Sequence, residues 1–325
     1  MAEKQYREAI KEALREELQR DENVFILGEE VGVWGGTYAV TRGLRDEFGD
    51  KRVRDTPIAE AGIIGTAVGA AMGGLRPIAE LMTINFSLIA MDQIVNNMAK
   101  IHSMFGGRIR VPMVIRMPAG WGQLAATHSQ SFESWLAHVP GLKVVMPANP
   151  ADAKGLLKSA IRDDNPIVFI EHRGLYWTKG EVPADEALVP IGEASIVRRG
   201  EEITIVALSS MVGPALAAAK DLAAEEISAE VIDPRTISPL DIETIASSVK
   251  KTSRMIVAHE AVEQGGIGAE IIARVQQDAF HYLDSPIGRV AAPFAPVPAS
   301  PTLEKRFLPN KEKIIEAARA ALAHV

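Results

Sequence analysis

Short, almost continuously apolar segments alternate along the chain with longer segments in which apolar residues recur at helical spacing. The segments 24–27, 111–117 and 167–171 are almost continuously apolar, which is typical of parallel strands covered by helices on both faces. Residues 4–20 and 150–163 instead carry apolar side chains three or four positions apart. This alternation predicts an α/β fold with parallel sheets.

The alternation runs twice, on either side of a segment of different character. Residues 174–192 are rich in glycine, proline and acidic residues and show only weak periodicity. A length of 325 residues also favours two domains. We therefore expect two tandem α/β domains, 1–180 and 193–325, joined by a linker at 181–192.

A helix is predicted to begin at Glu60, and it carries an unusual row of glycines. Gly65, Gly69 and Gly73 are four residues apart and share one face. Glycine destabilises a helix by up to about 1 kcal/mol relative to alanine. Such a row is favoured where two backbones approach closely, either inside the domain or across a subunit interface.

Three further segments lead to definite structural expectations. Residues 86–104 are predicted to form one long helix. Residues 118–139 lack a clear period and are predicted to form a loop followed by a short helix. The prolines between 293 and 301 predict a rigid loop.

The charge balance and the missing residue types exclude several classes of function. The chain has 35 Lys and Arg against 42 Asp and Glu, and a net charge of −7 does not favour nucleic-acid binding. The absence of cysteine excludes disulfides, cysteine–zinc sites, iron–sulfur clusters and thiol catalysis. The phosphate-loop, HExxH, GxSxG and GxGxxG motifs are also missing.

No segment has the length and apolar character of a membrane span. The longest weakly polar stretch, 61–75, is shorter than the ~20 residues that a span needs. The first residues lead directly into a charged amphipathic pattern rather than into a signal or transit peptide. We therefore expect a soluble cytoplasmic protein, or a mitochondrial matrix protein if the chain is the mature form of a eukaryotic one.

Several titratable residues lie at or near strand ends, where open α/β sheets place their active sites. Glu29 and Glu30 follow the strand at 24–27, Glu60 begins the glycine-rich helix, and His128 lies in an irregular polar segment. Ordinary structural roles also fit, because the helix dipole stabilises an acid at a helix N-terminus and a loop histidine is often merely solvated. The residue pattern alone leaves both interpretations open.

A series of motifs in a fixed order extends over almost the whole chain. The motifs are LGEEVG at 27–32, GGTYAVTRGL at 35–44, DTPIAE at 55–60, VGAAMGGLRPIAELM at 68–82, HSQ at 128–130, PGLKVVMPANPADAKGLLKSAIRDDNP at 140–166, VIDPRT at 231–236 and GGIGAE at 265–270. Together they resemble the beta subunits of the thiamine-dependent decarboxylating component of 2-oxo acid dehydrogenase complexes, and the pyruvate dehydrogenase members most of all. The resemblance implies a transketolase-like fold, with a pyrimidine-binding domain followed by a C-terminal domain used in assembly.

The resemblance also implies roles for individual residues. Glu60 matches the glutamate that hydrogen-bonds the aminopyrimidine ring of thiamine diphosphate and favours the tautomer that deprotonates the thiazolium carbon. Phe86 matches the aromatic residue that stacks on this ring, and Ile58 and Met82 match side chains that line the same site. His128 matches a histidine that acts in transfer of the acyl group to lipoamide.

Two further sets of residues are implied in the same way. Glu29, with Glu30, matches acids near the subunit contact that belong to a proton path between paired active sites. A structural potassium ion is implied at the positions of Met113, Ala160, Ile161, Asp163 and Asn165.

One motif of thiamine enzymes is missing from the chain. These enzymes bind the Mg²⁺-diphosphate group through a GDG sequence, and here Gly49-Asp50 is followed by Lys51. The resemblance therefore implies that Mg²⁺ and the diphosphate are bound by a separate alpha subunit. Thiamine diphosphate would then bridge the two chains of an α₂β₂ heterotetramer, with the glycine face of the helix after Glu60 as the close contact.

The implied reaction is oxidative decarboxylation of a small 2-oxo acid, pyruvate, with transfer of the acetyl group to a dihydrolipoyl acyltransferase core. The beta subunits of branched-chain 2-oxo acid and acetoin dehydrogenases are alternatives within the same class. A scaffold subunit without catalysis is disfavoured because Glu60, Phe86 and His128 are present together. A self-sufficient transketolase is disfavoured by the missing GDG motif and by the length of the chain.

Overall fold

The computed structural model describes residues 1–184 and 186–324, which form two compact units. The first unit contains Met1–Ala119 and Trp135–Ile191, and the second contains Gly120–Ser134 together with the chain from Gly192 onward. Asp185, in the predicted linker, lies outside the described residues. A segment from the first half of the chain therefore packs with the second unit.

Strands and helices alternate along the chain. The strands are β1 (Ala2–Gln5), β2 (Val24–Gly28), β3 (Val53–Asp55), β4 (Arg76–Glu80), β5 (Val114–Ala119), β6 (Lys143–Val145), β7 (Ile167–His172), β8 (Lys179–Val182), β9 (Ser195–Arg198), β10 (Ile203–Ala207), β11 (Ala229–Asp233), β12 (Thr236–Ser238), β13 (Met255–Val262) and β14 (Gly288–Ala292). The α-helices are α1 (Tyr6–Arg20), α2 (Leu44–Phe48), α3 (Glu60–Met72), α4 (Ile101–Met104), α5 (Ala125–His128), α6 (Glu133–Ala137), α7 (Pro150–Arg162), α8 (Val212–Ala223), α9 (Ile242–Thr252), α10 (Ile267–Ala279), α11 (Pro301–Phe307) and α12 (Lys311–Leu322). Within the described residues, no helix is both long enough and apolar enough to cross a membrane.

A parallel sheet forms the centre of the first unit. Its strands follow the order β6-β7-β5-β4-β2-β3, and each neighbouring pair is parallel. Every residue of β5 and β7 is buried, as their nearly continuous apolar runs predict. A separate antiparallel pair, β1 with β8, joins the two ends of this unit.

Helices α1 and α7 pack against each other in the first unit. Tyr6, Ile10, Leu14 and Leu18 recur at helical spacing along α1 and are buried in the core. The α7 helix begins after Asn149, whose side chain accepts the Asp152 N–H at 2.9 Å, with proline at the first helical position. The local sequence therefore specifies where α7 begins.

A second sheet with the order β14-β13-β10-β11-β9 forms the centre of the second unit. Its pairs are parallel except β9, which runs antiparallel to β11 at the edge. Strand β10 is buried along its whole length. Both sheets are therefore predominantly parallel.

One local prediction is wrong, and a second holds for all but its last residue. The predicted helix 86–104 is a succession of a 3₁₀ segment (Ile84–Ala90), a π segment (Gln93–Met98) and α4. Local bonds compete with a regular helix there, since the Ser87 hydroxyl donates to the Ile84 carbonyl at 2.7 Å. The proline-rich loop predicted at 293–301 is confirmed as a loop over 293–300, between β14 and α11, while Pro301 occupies the first helical position of α11, where its missing N–H costs nothing.

Candidate active site

The first unit places two of the predicted site residues at the carboxyl ends of neighbouring parallel strands. Glu29 directly follows β2, and Glu60 begins α3 after the turn that leaves β3. The Thr56 N–H in that turn donates to the Gly28 carbonyl, 3.0 Å away, and so holds the two strand ends side by side. Open α/β sheets bind their ligands at this edge.

The carboxylate of Glu60 is almost entirely buried at the start of α3, with 4% exposure. The positive end of the helix dipole stabilises a negative charge in this position. Two residues earlier, the aliphatic side chain of Ile58 is 82% exposed, which reverses the usual burial of an acid and an aliphatic residue. A flat ring with an apolar face and a polar edge is complementary to this pair.

Glu29 is a second buried carboxyl group at the same edge. Burial raises the pKa of Glu29, and the negative charges of Glu60 and Glu30 raise it further. Glu29 and Glu60 are therefore close enough to interact electrostatically. A carboxyl group with a raised pKa next to a second carboxyl group suits proton transfer.

Met82 and Phe86 follow strand β4, which pairs in parallel with β2 and therefore ends at the same sheet edge. Met82 is half-buried two residues beyond the strand, and Phe86 is half-buried within the 3₁₀ segment. The Phe86 N–H donates to the Thr83 carbonyl at 3.0 Å, which orders the backbone at the ring.

A buried ion-pair network joins the ends of β4, β5 and β7. Arg116 donates to Glu171 through Nε at 2.6 Å and Nη2 at 3.0 Å, and to Glu80 through Nη1 at 2.7 Å. The Tyr176 hydroxyl donates to Glu171 at 2.7 Å. Burial opposes the charge of Arg116, but the two carboxylates outweigh burial and raise its pKa. Burial also raises the pKa of Glu80; Glu171 adds to this effect and Arg116 opposes it.

The sequence pattern does not single out this network, although it contains a signal. The strands read RPIAE, VIRMPA and IVFIEH, each with a charged residue inside or at the end of an apolar run. Charged residues are almost never fully buried unless they are paired. A charge within each of three neighbouring buried strands therefore predicts that the charges pair with one another.

Two glycines let the loop after β2 approach the Glu80 side of the network. A Cβ atom at Gly28 would lie 2.6 Å from the Glu80 carbonyl oxygen, and one at Gly36 would overlap the Glu80 carboxylate. Gly36 also has a φ of +75°, a conformation that favours glycine. The Gly36 N–H donates to the Glu30 carbonyl at 2.8 Å. Glu80 therefore borders the loop that carries Glu29 and Glu30.

His128 belongs to the second unit rather than to the first. It is exposed at the end of the short helix α5, within the segment Gly120–Ser134. Nearby, the Gln130 side chain donates to the Thr127 carbonyl at 3.1 Å. The predicted catalytic residues are thus divided between the two units, with Glu29 and Glu60 in the first and His128 in the second.

The residues predicted to hold potassium are Met113 before β5, Ala160 and Ile161 at the end of α7, and Asp163 and Asn165 after it. Several of their oxygens accept hydrogen bonds from protein groups. Arg76 Nη1 donates to the carbonyls of Ile161 and Asp163, each at 3.0 Å, and the Asp163 carboxylate accepts bonds from Lys143 and Asn165. Potassium at these positions stays a prediction.

No group of three or more His, Asp or Glu side chains within the described residues could hold a metal ion. The GDG motif, which holds the Mg²⁺-diphosphate group in thiamine enzymes, is missing from this chain.

Two domain families match the chain, and each matches one half of it. Residues 2–178 match the transketolase pyrimidine-binding domain, and residues 192–314 match the transketolase C-terminal domain. A solved structure described as a split-gene transketolase, an inactive beta4 tetramer, covers 98% of both chains with a TM-score of 0.80 at 23% identity. The predicted transketolase-like fold of two tandem α/β domains is confirmed.

Relatives from bacteria and animals are similar over nearly the full chain. The pyruvate dehydrogenase E1 component subunit beta of Rhizobium meliloti is 48% identical over 98% of this chain and 70% of its own length. The mitochondrial subunit of Bos taurus is 50% identical, with 97% and 90% covered, and that of Rickettsia felis is 49% identical, with 96% of each covered. The chain therefore belongs to the family of pyruvate dehydrogenase E1 component beta subunits, as the order and spacing of its motifs predicted.

Proposed function

We propose that this chain is the beta subunit of a pyruvate dehydrogenase that uses thiamine diphosphate, and that its first unit binds the aminopyrimidine ring of the cofactor. The names of the relatives support the reaction, and the pyrimidine-binding family match supports the cofactor. The observation that carries the proposal is the buried Glu60 carboxylate, with exposed Ile58 two residues earlier and Glu29 within electrostatic range.

The residues at this sheet edge fit the pyrimidine half of thiamine diphosphate. Glu60 would accept a hydrogen bond from the ring edge, and the apolar side chains of Ile58, Met82 and Phe86 would line the site around the ring. The bound cofactor supplies the nucleophile and the electron sink for decarboxylation. Because Glu60 is almost fully buried, a hydrogen bond from it to the ring would be protected from water and stronger than one at the surface.

Glu29 has the second role in this proposal. Burial raises the pKa of Glu29, so this carboxyl group holds a proton to higher pH than an exposed glutamate does. The negative charge of Glu60 contributes to this raised pKa. We assign Glu29 to the relay that exchanges protons with Glu60.

A partner alpha subunit provides the Mg²⁺ and diphosphate sites in this proposal, because the chain lacks the GDG motif. The two chains form an α₂β₂ heterotetramer, and the acetyl group passes to a dihydrolipoyl acyltransferase core with the help of His128. The glycine face of α3 suits the contact with the alpha subunit. A Cβ atom at Gly69 would meet nothing within 4 Å among the described residues, so packing inside the chain does not require that glycine.

The shared cofactor site can be tested by calorimetry. The purified chain alone should bind thiamine diphosphate with Mg²⁺ weakly, whereas the chain assembled with its alpha subunit should bind it tightly. Tight binding by the isolated chain would contradict the division of the site between two subunits.

The role of Glu60 can be tested in the assembled enzyme. Glu60→Gln should reduce pyruvate-dependent dye reduction by about 10²-fold or more, because the neutral amide no longer stabilises the active tautomer. Glu22→Gln, at an exposed turn, is the matched control and should leave the rate unchanged. Both variants should retain the tetramer on size-exclusion chromatography. A Glu60→Gln enzyme with normal turnover would remove this carboxylate from the mechanism.

The substrate follows from the same assay with three compounds. Pyruvate should be turned over with the highest kcat/KM, ahead of branched-chain 2-oxo acids and acetoin. A preference for one of the other two would assign the chain to that dehydrogenase.

A further inference from the structure

A buried carboxylate in the second unit holds the start of the His128 segment. Glu304, on α11, is 6% exposed, and its Oε1 atom accepts the backbone N–H groups of Gly122 at 3.2 Å and Gln123 at 2.9 Å. Hydrogen bonds to an ionised acceptor are about twice as strong as neutral ones. Glu304 therefore ties α11 directly to the turn that precedes His128.

The turn bound by Glu304 has an unfavourable backbone conformation. Gln123 and Ala125 have φ values of 61° and 59°. Residues with side chains rarely adopt this region, and each such residue costs on the order of 1–3 kcal/mol. The turn keeps this conformation only while its surroundings stabilise it, and the paired bonds to Glu304 provide that stabilisation.

A second carboxylate holds the other end of the segment. Glu260, on β13, accepts the Ser131 hydroxyl at 3.4 Å and the Ser210 hydroxyl at 2.8 Å. Glu133, two residues beyond Ser131, is 2% exposed and feels the charge of Glu260. Both ends of the segment are therefore attached to elements of the second unit.

His128 lies between these two attachments on a helix of only four residues. A helix this short is not stable by itself, so its position depends on the segments that flank it. The His128 side chain is exposed. The attachments at Gly122–Gln123 and at Ser131 therefore position the imidazole.

We propose that Glu304 is a positioning residue that holds His128 in place through the backbone of Gly122 and Gln123, with Glu260 as the second attachment. This proposal rests on the proposed function, in which His128 acts in acyl transfer. It assigns a part in that step to the C-terminal domain, since Glu304 and Glu260 both come from it. Misplacing a catalytic group by 1 Å costs up to about 10²-fold in rate.

The test compares three variants in the enzyme assembled with its alpha subunit. Glu304→Ala removes the acceptor, Glu304→Gln retains a neutral acceptor of the same length, and Glu316→Ala removes an exposed acid from the neighbouring helix α12 as a matched control. Three quantities are measured: acetyl transfer to a free lipoyl domain, pyruvate-dependent dye reduction without that domain, and amide hydrogen exchange over 120–134.

Glu304→Ala should slow acetyl transfer by about tenfold to a hundredfold and accelerate hydrogen exchange in 120–134, while dye reduction stays within about twofold of the parent rate. Glu304→Gln should recover most of the transfer rate, and Glu316→Ala should match the parent in all three measurements. A general loss of folding would reduce dye reduction as well and would accelerate exchange throughout the chain.

Unchanged exchange over 120–134 in Glu304→Ala would overturn the proposal, as would faster exchange with an unchanged transfer rate. His128→Ala tests the proposed function separately. If His128→Ala transfers acetyl groups normally, the role of the histidine fails. If His128→Ala is impaired but Glu304→Ala is not, only the positioning role fails.

Discussion

At the scale of single residues, Arg116 shows how three strands that read as apolar accommodate charge. Its guanidinium contacts Glu80 and Glu171, and all three side chains are buried. A buried ion pair is weak support for stability by itself, because desolvation offsets the attraction. Removing one partner is costly, because it leaves a buried charge without compensation.

Arg116→Met should therefore destabilise the chain by about 3–5 kcal/mol, because Glu80 and Glu171 lose their common partner. Urea unfolding followed by circular dichroism measures this change. Arg108→Met, at an exposed arginine, is the control and should change stability by less than about 0.5 kcal/mol. A loss of less than about 1 kcal/mol in Arg116→Met would mean that the carboxyl groups remain neutral or solvated in the fold.

Glu133 provides a second test at the residue scale. Burial raises its pKa from 4.5 to about 7, and the charge of Glu260 adds to the effect. Between these two pH values the folded chain holds a proton that the unfolded chain has lost. The contribution of Glu133 to the free energy of unfolding therefore falls as the pH rises from 4.5 to about 7, and it is constant at higher pH.

Glu133→Gln should remove this dependence. Between about pH 5 and pH 8 the free energy of unfolding should fall by up to about 3 kcal/mol more in the parent than in the variant. Urea unfolding at each pH measures this difference. His259 has the opposite dependence, because burial lowers its pKa to about 4, but it is present in both proteins and cancels in the comparison. Parallel pH profiles for parent and variant would contradict the assignment.

At the scale of elements, α3 shows a conflict between helix propensity and sequence. Three of its residues are glycine, and Gly73 caps its C-terminal end. Inside the chain, the nearest atoms to a Cβ at Gly62 and Gly65 would be 3.6 and 3.5 Å away, which is ordinary contact distance. Packing within the first unit therefore does not require these glycines, and the subunit contact remains our explanation for them.

Gly69→Ala should stabilise the isolated chain by up to about 1 kcal/mol, because alanine is the better helix former and its methyl group meets open space. The same variant should weaken assembly with the alpha subunit, measured by analytical ultracentrifugation. Gly213→Ala, at a helical glycine of α8 that also faces open space, should stabilise the chain without affecting assembly. Equal assembly of the two variants would contradict a subunit contact at Gly69.

At the scale of the whole molecule, the two compact units do not correspond to two continuous stretches of the sequence. The segment Gly120–Ser134 lies between two parts of the first unit in sequence, yet its contacts are with the second. The chain between the units is therefore not the only link from the N-terminal half to the second unit. Glu260 and Glu304 attach this segment to the second unit through hydrogen bonds.

A cut between the two halves should therefore not separate them. A protease recognition sequence inserted next to the exposed Leu188 should yield two fragments that elute together from a size-exclusion column. The fragments should separate more readily when the cut chain carries Glu304→Ala. If the two fragments of the cut parent chain separate under native conditions, the contacts of Gly120–Ser134 with the second unit are too weak to hold the halves together.

The sequence by itself determined the fold class, because parallel strands buried on both faces leave a nearly continuous apolar run and helices leave a regular period. Residues such as Val24, Ile167 and Leu14 carry that signal locally. The positions of Glu29 and Glu60 at or near strand ends place them at a sheet edge. The order and spacing of the motifs indicate the family. The roles of those residues in catalysis stay predictions.

Only the tertiary structure decided that Arg116 joins Glu80 to Glu171, and that Glu304 binds Gly122 from a position 182 residues away. Such contacts have no period along the chain, because they depend on which elements meet in space. The same holds for the irregular turns of 86–104, where local side-chain bonds compete with the helical ladder. Periodic burial is a local property of the sequence, whereas the pairing of buried charges depends on the whole fold.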